Sequence, residues 1–286
     1  MKSVYRSPAA HRAIRDWCEN RLAAWRTPHS TRVVRADAAD VHVTNVGSGP
    51  VRVVLVPGTN FNAATCLDVA AVLGRRWGTA VIDVPGQPGL SSEFRPRNPH
   101  NGWYAGTLSA ALDALDARDV VAIGNSMGAA IVLGCRSERI AARLLYSPAG
   151  IMRLRLDPAM AARSTAWLLA PTARSTRRML ELFTAPGSAP SKDTVDWMRL
   201  VGTHCRSTLA PSPQPVAVLR ASAREPLIVA SGEYDRFLPP RRLTSATARL
   251  LGASALVLSG VGHLAVEERP SDVVPLVAEL LSSVAR

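Results

Sequence analysis

The sequence predicts an α/β fold, with a mostly parallel twisted sheet, helices on both of its faces and an inserted helical segment. Short runs of apolar, β-branched residues alternate with segments of helical periodicity, as expected for strands that are buried on both faces. This alternation stops after residue 150, where helical patterns separated by prolines follow, and it resumes near residue 226. With 286 residues, of which 47% are hydrophobic, the chain is long enough for one such domain and an insertion.

The predicted elements divide the chain into three parts. Residues 1–30 form an N-terminal helical segment, residues 31–150 and 223–286 form the α/β core, and residues 151–222 form the helical insertion. In the first part, apolar residues recur in steps of three and four, which is typical of an amphipathic helix: Ile14, Trp17, Cys18, Leu22 and Trp25.

The strands of the core are predicted from their apolar runs: 31–35, 41–46, 51–56, 80–84, 120–123, 143–146, 226–230 and 255–259. The first two alternate in polarity around a polar turn at Asp37–Asp40, which predicts an antiparallel start of the sheet. The others are nearly continuous apolar runs, which favours parallel pairing. Residues 92–102 are predicted to form a loop, Gly252 to end a helix, and helices to cover 63–73, 104–117, 241–251, 271–284 and the segment after Gly128.

Ser126 stands in the pattern G-x-S-x-G, between a predicted strand and a predicted helix. A serine at the apex of such a turn has a strained backbone, and its hydroxyl projects clear of the sheet. Gly124 and Gly128 are required because a Cβ at either position would collide with the neighbouring strand or helix. The N-terminus of the following helix favours negative charge at the same point. The pattern therefore predicts a nucleophilic serine, and the alternative is an ordinary glycine-bracketed turn.

In this context the chain resembles the α/β-hydrolase family, as a serine esterase- or lipase-like member with a helical cap. The segment Gly124-Asn125-Ser126-Met127-Gly128 resembles the nucleophile elbow of that family. The stretch that begins at Asp83 resembles the family's Asp-x-Pro-Gly-x-Gly-x-Ser motif, with Pro88 inserted, and Asp83 is expected to be structural. The resemblance also implies that residues 151–222 are the cap.

The resemblance implies a catalytic triad in the chain order serine, acid, histidine. Asp235 is the expected acid, because it follows a strand in a Gly-x-x-Asp stretch that resembles the family's acid loop, and Glu233 is the fallback. His263 is the expected general base, because it lies in a glycine-rich turn after the last strand. The remaining histidines have no matching context: His11, His29, His42, His100 and His204.

The loop at residues 57–62 follows the first parallel strand and resembles the family's oxyanion loop. Pro57 replaces the histidine that is usual there, but Gly58 is kept, so the resemblance assigns the oxyanion-hole donors to the backbone N–H groups of Thr59 and Met127. We expect three further residues to contact the substrate: Asn60, Phe61 and Asn125. The alternative for this loop is an ordinary strand-to-helix turn.

The net charge of +12 is concentrated in the insertion, where ten basic and four acidic residues between Pro148 and Ser222 give +6. A solvated basic surface is the favoured interpretation. The alternatives are an anionic substrate, an anionic carrier or nucleic acid. Nucleic acid is the least favoured of these, because the chain has neither a recognised binding motif nor a block of consecutive basic residues.

The cysteines lack metal-ligand spacing and are predicted to be buried free thiols in a reducing compartment: Cys18, Cys66, Cys135 and Cys205. We expect neither a metal ion nor an organic cofactor. The N-terminus lacks the apolar stretch of a signal peptide, and no apolar run is long enough to span a bilayer. We therefore expect a cytoplasmic protein without a membrane partner, and its oligomeric state is open.

These residues predict a serine hydrolase that cleaves a carboxylic ester, a thioester or a lactone through an acyl-enzyme. An acyltransferase would use the same triad. A C–C bond hydrolase is also open, because the spelling G-N-S-M-G resembles that of ring-fission hydrolases, although the loop at 57–62 lacks their longer Gly-Pro-Gly pattern. The alternative of another class is a non-catalytic ligand-binding protein, and such proteins commonly lack a triad member.

Overall fold

The computed structural model describes residues 2–36, 39–96, 102–206 and 211–284. Residues 37 and 38 of the predicted turn and residues 97–101 of the predicted loop at 92–102, which include His100, lie outside these ranges. The strands are β1 (Lys2–Ser3), β2 (His29–Ala36), β3 (Ala39–Val46), β4 (Val51–Val56), β5 (Gly78–Ile82), β6 (Phe94–Arg95), β7 (Val120–Asn125), β8 (Ile140–Tyr146), β9 (Leu227–Gly232) and β10 (Ala255–Leu258).

The α-helices are α1 (Pro8–Ala23), α2 (Leu67–Gly74), α3 (Trp103–Ala114), α4 (Met127–Gly134), α5 (Pro158–Leu169), α6 (Ala173–Leu180), α7 (Lys192–His204), α8 (Val216–Ser222), α9 (Pro240–Leu251), α10 (Ala265–Glu268) and α11 (Val273–Val284). Short 3₁₀ turns cover Ala63–Thr65 and Pro270–Asp272. As predicted, α9 ends at Gly252, whose φ of 65° is the left-handed conformation of a helix C-cap.

Eight strands of the described ranges form one sheet in the order β10-β9-β8-β7-β4-β5-β3-β2. From β10 to β5 every neighbouring pair is parallel, whereas β3 pairs antiparallel with both β5 and β2. The predicted antiparallel start and parallel remainder are therefore confirmed. Because β4, β7, β8 and β9 run in the same direction, the loops that follow them meet at one edge of the sheet.

Helices cover both faces of this sheet and enclose two apolar cores. One core joins the sheet to α3, α4, α8 and α9, and the other joins it to α2 and α11. β7 lies between them, and all six of its residues are buried. Its buried length explains why the sequence shows a continuous apolar run at this position instead of an alternating one.

The insertion contains α5 to α8, and its helices pack in two places. α7 packs against α1, where the rings of Trp197 and Trp17 are 4.6 Å apart, and both belong to a third apolar cluster. α8 instead packs against α4 and α9, and the Ser222 hydroxyl donates to the carbonyl of Leu133. The division of the chain into a core and a cap remains a prediction, and α8 belongs to the layer of helices on the sheet.

All four cysteines are buried and free, as predicted. None of the helices in the described residues has the length and apolar character needed to cross a bilayer.

Candidate active site

The turn between β7 and α4 has the strained backbone that its sequence predicts. Ser126 has φ 50° and ψ −111°, an unusual conformation for a residue with a side chain. A Cβ on Gly124 would lie 2.4 Å from Cα of Ala129, and a Cβ on Gly128 would lie 1.9 Å from the carbonyl oxygen of Val56. Both glycines are therefore required by the close approach of α4 to β7 and β4, as the sequence indicates.

Ser126, His263 and Asp235 lie in hydrogen-bond contact, although they follow three different strands. Nδ1 of His263 is 2.9 Å from Oδ2 of Asp235, and Nε2 is 3.2 Å from Oγ of Ser126. A carboxylate can only accept, so Nδ1 carries the proton and Nε2 presents its lone pair to the serine hydroxyl. The arrangement is therefore a hydroxyl, an imidazole and a carboxylate in one hydrogen-bonded series.

Asp235 is held by backbone and side-chain donors at the end of β9. Its Oδ1 accepts from the N–H groups of Phe237 and Leu238, and its Oδ2 accepts from the Ser231 hydroxyl as well as from His263. Burial favours the protonated acid, but the charge and hydrogen bond of His263, together with the hydrogen bond from the N–H of Leu238, outweigh burial and lower the pKa of Asp235. Asp235 therefore stays ionised next to the imidazole.

His263 is fixed by the turn on which it lies. The N–H of Leu264 donates to the carbonyl of Phe183, and the imidazole packs against the rings of Phe237 and Phe183, with centroids 5.0 and 5.9 Å away. Burial favours the neutral ring, but the charge and hydrogen bond of Asp235 outweigh it and raise the pKa of His263. His263 is 6% exposed and Asp235 2%, whereas Ser126 is half-buried.

The loop at 57–62 brings the backbone of Gly58 and Thr59 beside the serine. A Cβ on Gly58 would lie 3.4 Å from Cβ of Ser126. Within the described residues, neither the N–H of Thr59 nor that of Met127 donates to a protein acceptor. Met127 is also the first residue of α4, where backbone N–H groups have no partner inside the helix. Both groups are thus free to donate to a bound oxygen.

Two residues that the sequence analysis missed hold this loop in place. Asn60 has a left-handed backbone with φ 66°. Its N–H donates to Oε1 of the buried Gln87 at 3.1 Å, and its carbonyl accepts from Nε1 of Trp197 at 2.7 Å. Gln87 lies after β5 and Trp197 on α7, so both the core and the insertion support the peptide next to Thr59. Only the tertiary fold brings them together, and no local pattern could have identified them.

The hydrogen bond from Trp197 to Asn60 is expected to hold the neighbouring backbone of Thr59 in position. Trp197→Phe removes the N–H donor but retains an aromatic ring, so we expect kcat to fall about tenfold with little change in KM. Steady-state kinetics with circular dichroism would measure this. Trp167→Phe is the matched control, because Nε1 of Trp167 donates to the carbonyl of Met198 in the same cluster, away from Asn60. Equal losses in both variants would contradict a specific role for Trp197.

The other predicted site residues have different surroundings. Phe61 packs in the apolar cluster beneath α1 and α7. The Asn125 amide is buried and donates to Oε1 of Glu267 at 3.5 Å, so it already has a protein partner. Substrate contact by Asn60, Phe61 and Asn125 remains a prediction. Glu233 is exposed, and its Oε2 accepts from the N–H of Gly260 instead of contacting His263.

Asp83 is buried and joins two loops of the core. Its Oδ1 accepts from the N–H of Ala63 and its Oδ2 from the N–H of Leu90, in agreement with the expected structural role. In the described part of the chain, no group of three or more His, Cys, Asp and Glu side chains has the arrangement of a metal site.

Residues 53–276 match a family model described as the Alpha/beta hydrolase family. No curated protein matches the chain. Among solved structures, carboxylesterase CesB of Bacillus subtilis is 17% identical, with a TM-score of 0.79 and coverage of 96% of this chain and 98% of that one. Naproxen esterase of Bacillus subtilis is 18% identical, with a TM-score of 0.77 and coverage of 92% and 95%.

A hydrolase of a phenylhexadienoate also shares the fold. The 2-hydroxy-6-oxo-6-phenylhexa-2,4-dienoate hydrolase of Rhodococcus sp. strain RHA1 is 20% identical, with a TM-score of 0.69 and coverage of 89% of this chain and 99% of that one. At such identities the likeness of these structures concerns the fold alone.

Proposed function

The chain belongs to the alpha/beta hydrolase family, and from that premise we propose that it is a serine hydrolase that cleaves a carboxylic ester through an acyl-enzyme. The observation that carries the proposal is the hydrogen-bonded series from Ser126 through His263 to Asp235. The two free backbone N–H groups beside the serine support it further. In this proposal residues 151–222 contribute the cap, since α7 reaches the oxyanion loop through Trp197.

Acylation begins when Oγ of Ser126 attacks the ester carbonyl and Nε2 of His263 takes the hydroxyl proton. Asp235 keeps the imidazole in the required tautomer and stabilises the imidazolium that forms. The carbonyl oxygen becomes an oxyanion, to which the N–H groups of Thr59 and Met127 donate. Each such donor lowers the barrier by about 3–4 kcal/mol. His263 then gives its proton to the leaving alkoxide, and the acyl group stays on Ser126.

Deacylation repeats the sequence with water as the nucleophile. His263 takes a proton from water, which attacks the acyl carbonyl, and the imidazolium then returns the proton to Oγ of Ser126 as the acid departs. The chemistry needs His263 in its neutral form at the start of each half-reaction. Because the pKa of His263 is raised, hydrolysis is expected to decline as the pH falls below this raised value.

The surroundings of the histidine favour an apolar group on the substrate. The rings of Phe183 and Phe237 both lie beside His263, and their centroids are 4.5 Å apart. The basic side chains of the insertion offer less support for an anionic or carrier-bound substrate. Three of these basic side chains, Arg163, Arg174 and Arg178, line a hollow of about 440 Å³ between α5 and α6. No triad residue lines this hollow. An uncharged ester with an apolar acyl group is therefore the substrate class we propose.

The test is treatment of the protein with a fluorophosphonate, followed by intact-mass analysis, together with turnover of p-nitrophenyl esters of increasing acyl length. We expect one phosphonyl adduct, and esters hydrolysed faster than a thioester or a 2-hydroxy-6-oxo-dienoate. Turnover of the dienoate alone would favour C–C bond hydrolysis, and acyl transfer to an added alcohol in preference to water would favour an acyltransferase. A folded protein with neither an adduct nor turnover would refute the proposal and favour a ligand-binding role.

A further inference from the structure

A second carboxyl group lies behind the nucleophile and takes no part in the chemistry described above. Glu267 belongs to α10, the short helix that follows the histidine loop, and contacts Asn125, the residue before Ser126. The contact is a long one of 3.5 Å from Nδ2 of Asn125 to Oε1 of Glu267. It joins positions 142 residues apart in sequence and connects the elbow to the helix behind His263.

The two other polar atoms of this pair have no partner. Within the described residues, Oδ1 of Asn125 and Oε2 of Glu267 are both buried and form no hydrogen bond. Buried polar atoms are nearly always paired, because an unpaired one has lost its hydrogen bonds to water without a replacement. An amide oxygen and an ionised carboxylate can only accept, so they cannot satisfy each other. A protonated carboxyl supplies the missing donor.

We propose that Glu267 is held as a neutral carboxylic acid that pairs with the side-chain amide of Asn125 through two hydrogen bonds. Nδ2 of Asn125 donates to Oε1, and the acid O–H on Oε2 donates to Oδ1 of Asn125. Glu267 then acts as a positioning residue, because the pair fixes the residue that precedes the nucleophile. The positioning role rests on the proposed function, whereas the protonation state does not.

The charges around Glu267 agree with a neutral acid. Burial is the dominant influence and raises its pKa to about 7, and the negative charge of Glu268 acts in the same direction. A backbone hydrogen bond and His263 act in the opposite direction, and the Cys66 thiol faces the same carboxyl from the start of α2. Glu268 differs from its neighbour, because its two oxygens accept from the N–H groups of Gly262 and Ala185.

The first test compares the stability of wild type and Glu267→Gln across pH. Glutamine presents the same donor and acceptor as the neutral acid at every pH. In wild type, the folded state holds a proton that the unfolded chain releases near the ordinary pKa of 4.5. The urea midpoint of wild type should therefore fall relative to that of Glu267→Gln from about pH 4.5 to pH 7 and then level off.

Glu279→Gln is the matched control, because Glu279 is exposed on α11 and its curve should run parallel to that of wild type. Difference infrared spectroscopy supplies a direct readout. We expect the C=O band of a protonated carboxyl in wild type and Glu279→Gln at pH 6 and its absence in Glu267→Gln. Parallel midpoint curves for wild type and Glu267→Gln, or no such band in wild type, would overturn the proposal. Neither the urea midpoint nor the infrared band requires activity. A protein that forms no adduct with the fluorophosphonate can therefore still show a protonated Glu267.

The positioning role has its own measurement. A neutral Glu267 and a glutamine present the same hydrogen-bonding groups to Asn125, so below about pH 7 Glu267→Gln should keep the kcat and the acidic limb of kcat/KM of wild type. Asn125→Leu should lower kcat and remove the infrared band or move it, because the acid loses its partner. An unchanged kcat in Asn125→Leu, or a loss in Glu267→Gln as large as that in Asn125→Leu, would overturn the positioning role.

Discussion

Ser126→Ala is expected to lower kcat for ester hydrolysis by about 10⁵- to 10⁶-fold. The variant has no Oγ, so no acyl-enzyme forms and His263 has no serine hydroxyl proton to accept. The Thr59 and Met127 N–H groups would still bind the carbonyl oxygen, and residual turnover from binding and oxyanion stabilisation is expected to remain above the uncatalysed rate. KM should change little, because the hydroxyl contributes little to ground-state binding.

The substitution should leave the fold intact. Oγ of Ser126 has one side-chain partner, Nε2 of His263, and alanine carries the same Cβ in the strained conformation at φ 50°. Steady-state kinetics on a p-nitrophenyl ester, with thermal unfolding as the control for folding, would check both statements. A loss of less than tenfold in a folded protein, or a phosphonyl adduct retained in Ser126→Ala, would place the nucleophile on a different residue.

The elbow could be predicted from sequence because close backbone contacts on either side of Ser126 require glycine at fixed positions. Gly128 lies against a carbonyl oxygen of β4 that leaves no room for a Cβ. Only glycine fits at this position, so the structural requirement appears directly in the sequence. The strands were predictable for a similar reason, because burial on both faces requires continuous apolar runs. The order of β7, β8 and β9 in the sheet then brings the loops with Ser126 and Asp235 to one edge.

Interactions between distant loops could not be predicted in this way. The backbone of Asn60 is hydrogen-bonded to the side chains of Gln87, 27 residues away in sequence, and of Trp197, 137 residues away. Gln87 occupies a variable position of the motif that begins at Asp83, Trp197 belongs to no recognisable motif, and a buried glutamine or tryptophan is usually a core residue. The pair of Asn125 and Glu267 was hidden for the same reason, and the sequence favoured a substrate contact for Asn125. Contacts of this kind exist only in the folded chain, where they bring together polar atoms that are far apart in sequence.

The position of α8 illustrates a related limit. Proline-separated helical patterns run without a break to residue 222, so the sequence analysis assigned them all to the insertion. Helical periodicity identifies the apolar face of a helix but not the surface against which that face packs. Leu219 of α8 belongs to the core beneath the sheet, whereas Trp197 of α7 belongs to the cluster with α1.

Asp235→Asn should lower kcat by about 10⁴-fold. Such a loss would identify Asp235, and not Glu233, as the acid of the triad. The amide preserves the shape of the side chain, but its N–H₂ group can donate where the carboxylate only accepts. His263 would then be favoured in the tautomer with the proton on Nε2, which cannot accept the proton of Ser126. The loss of the negative charge also removes the main influence that raises the pKa of His263. The acidic limb of the remaining activity should therefore move to lower pH.

Glu233→Gln is the matched comparison, because it makes the same chemical change two residues earlier in the loop. Glu233 is exposed and accepts from the N–H of Gly260, a bond that the glutamine Oε1 can keep, so we expect kcat within about twofold of wild type and an unchanged pH profile. Steady-state kinetics from pH 5 to pH 9 on both variants would measure the contrast. The reverse result, a large loss in Glu233→Gln and near-normal activity in Asp235→Asn, would assign the acid to Glu233. Because Asp235 accepts from two backbone N–H groups and the Ser231 hydroxyl as well as from His263, we expect the loss to arise at Asp235.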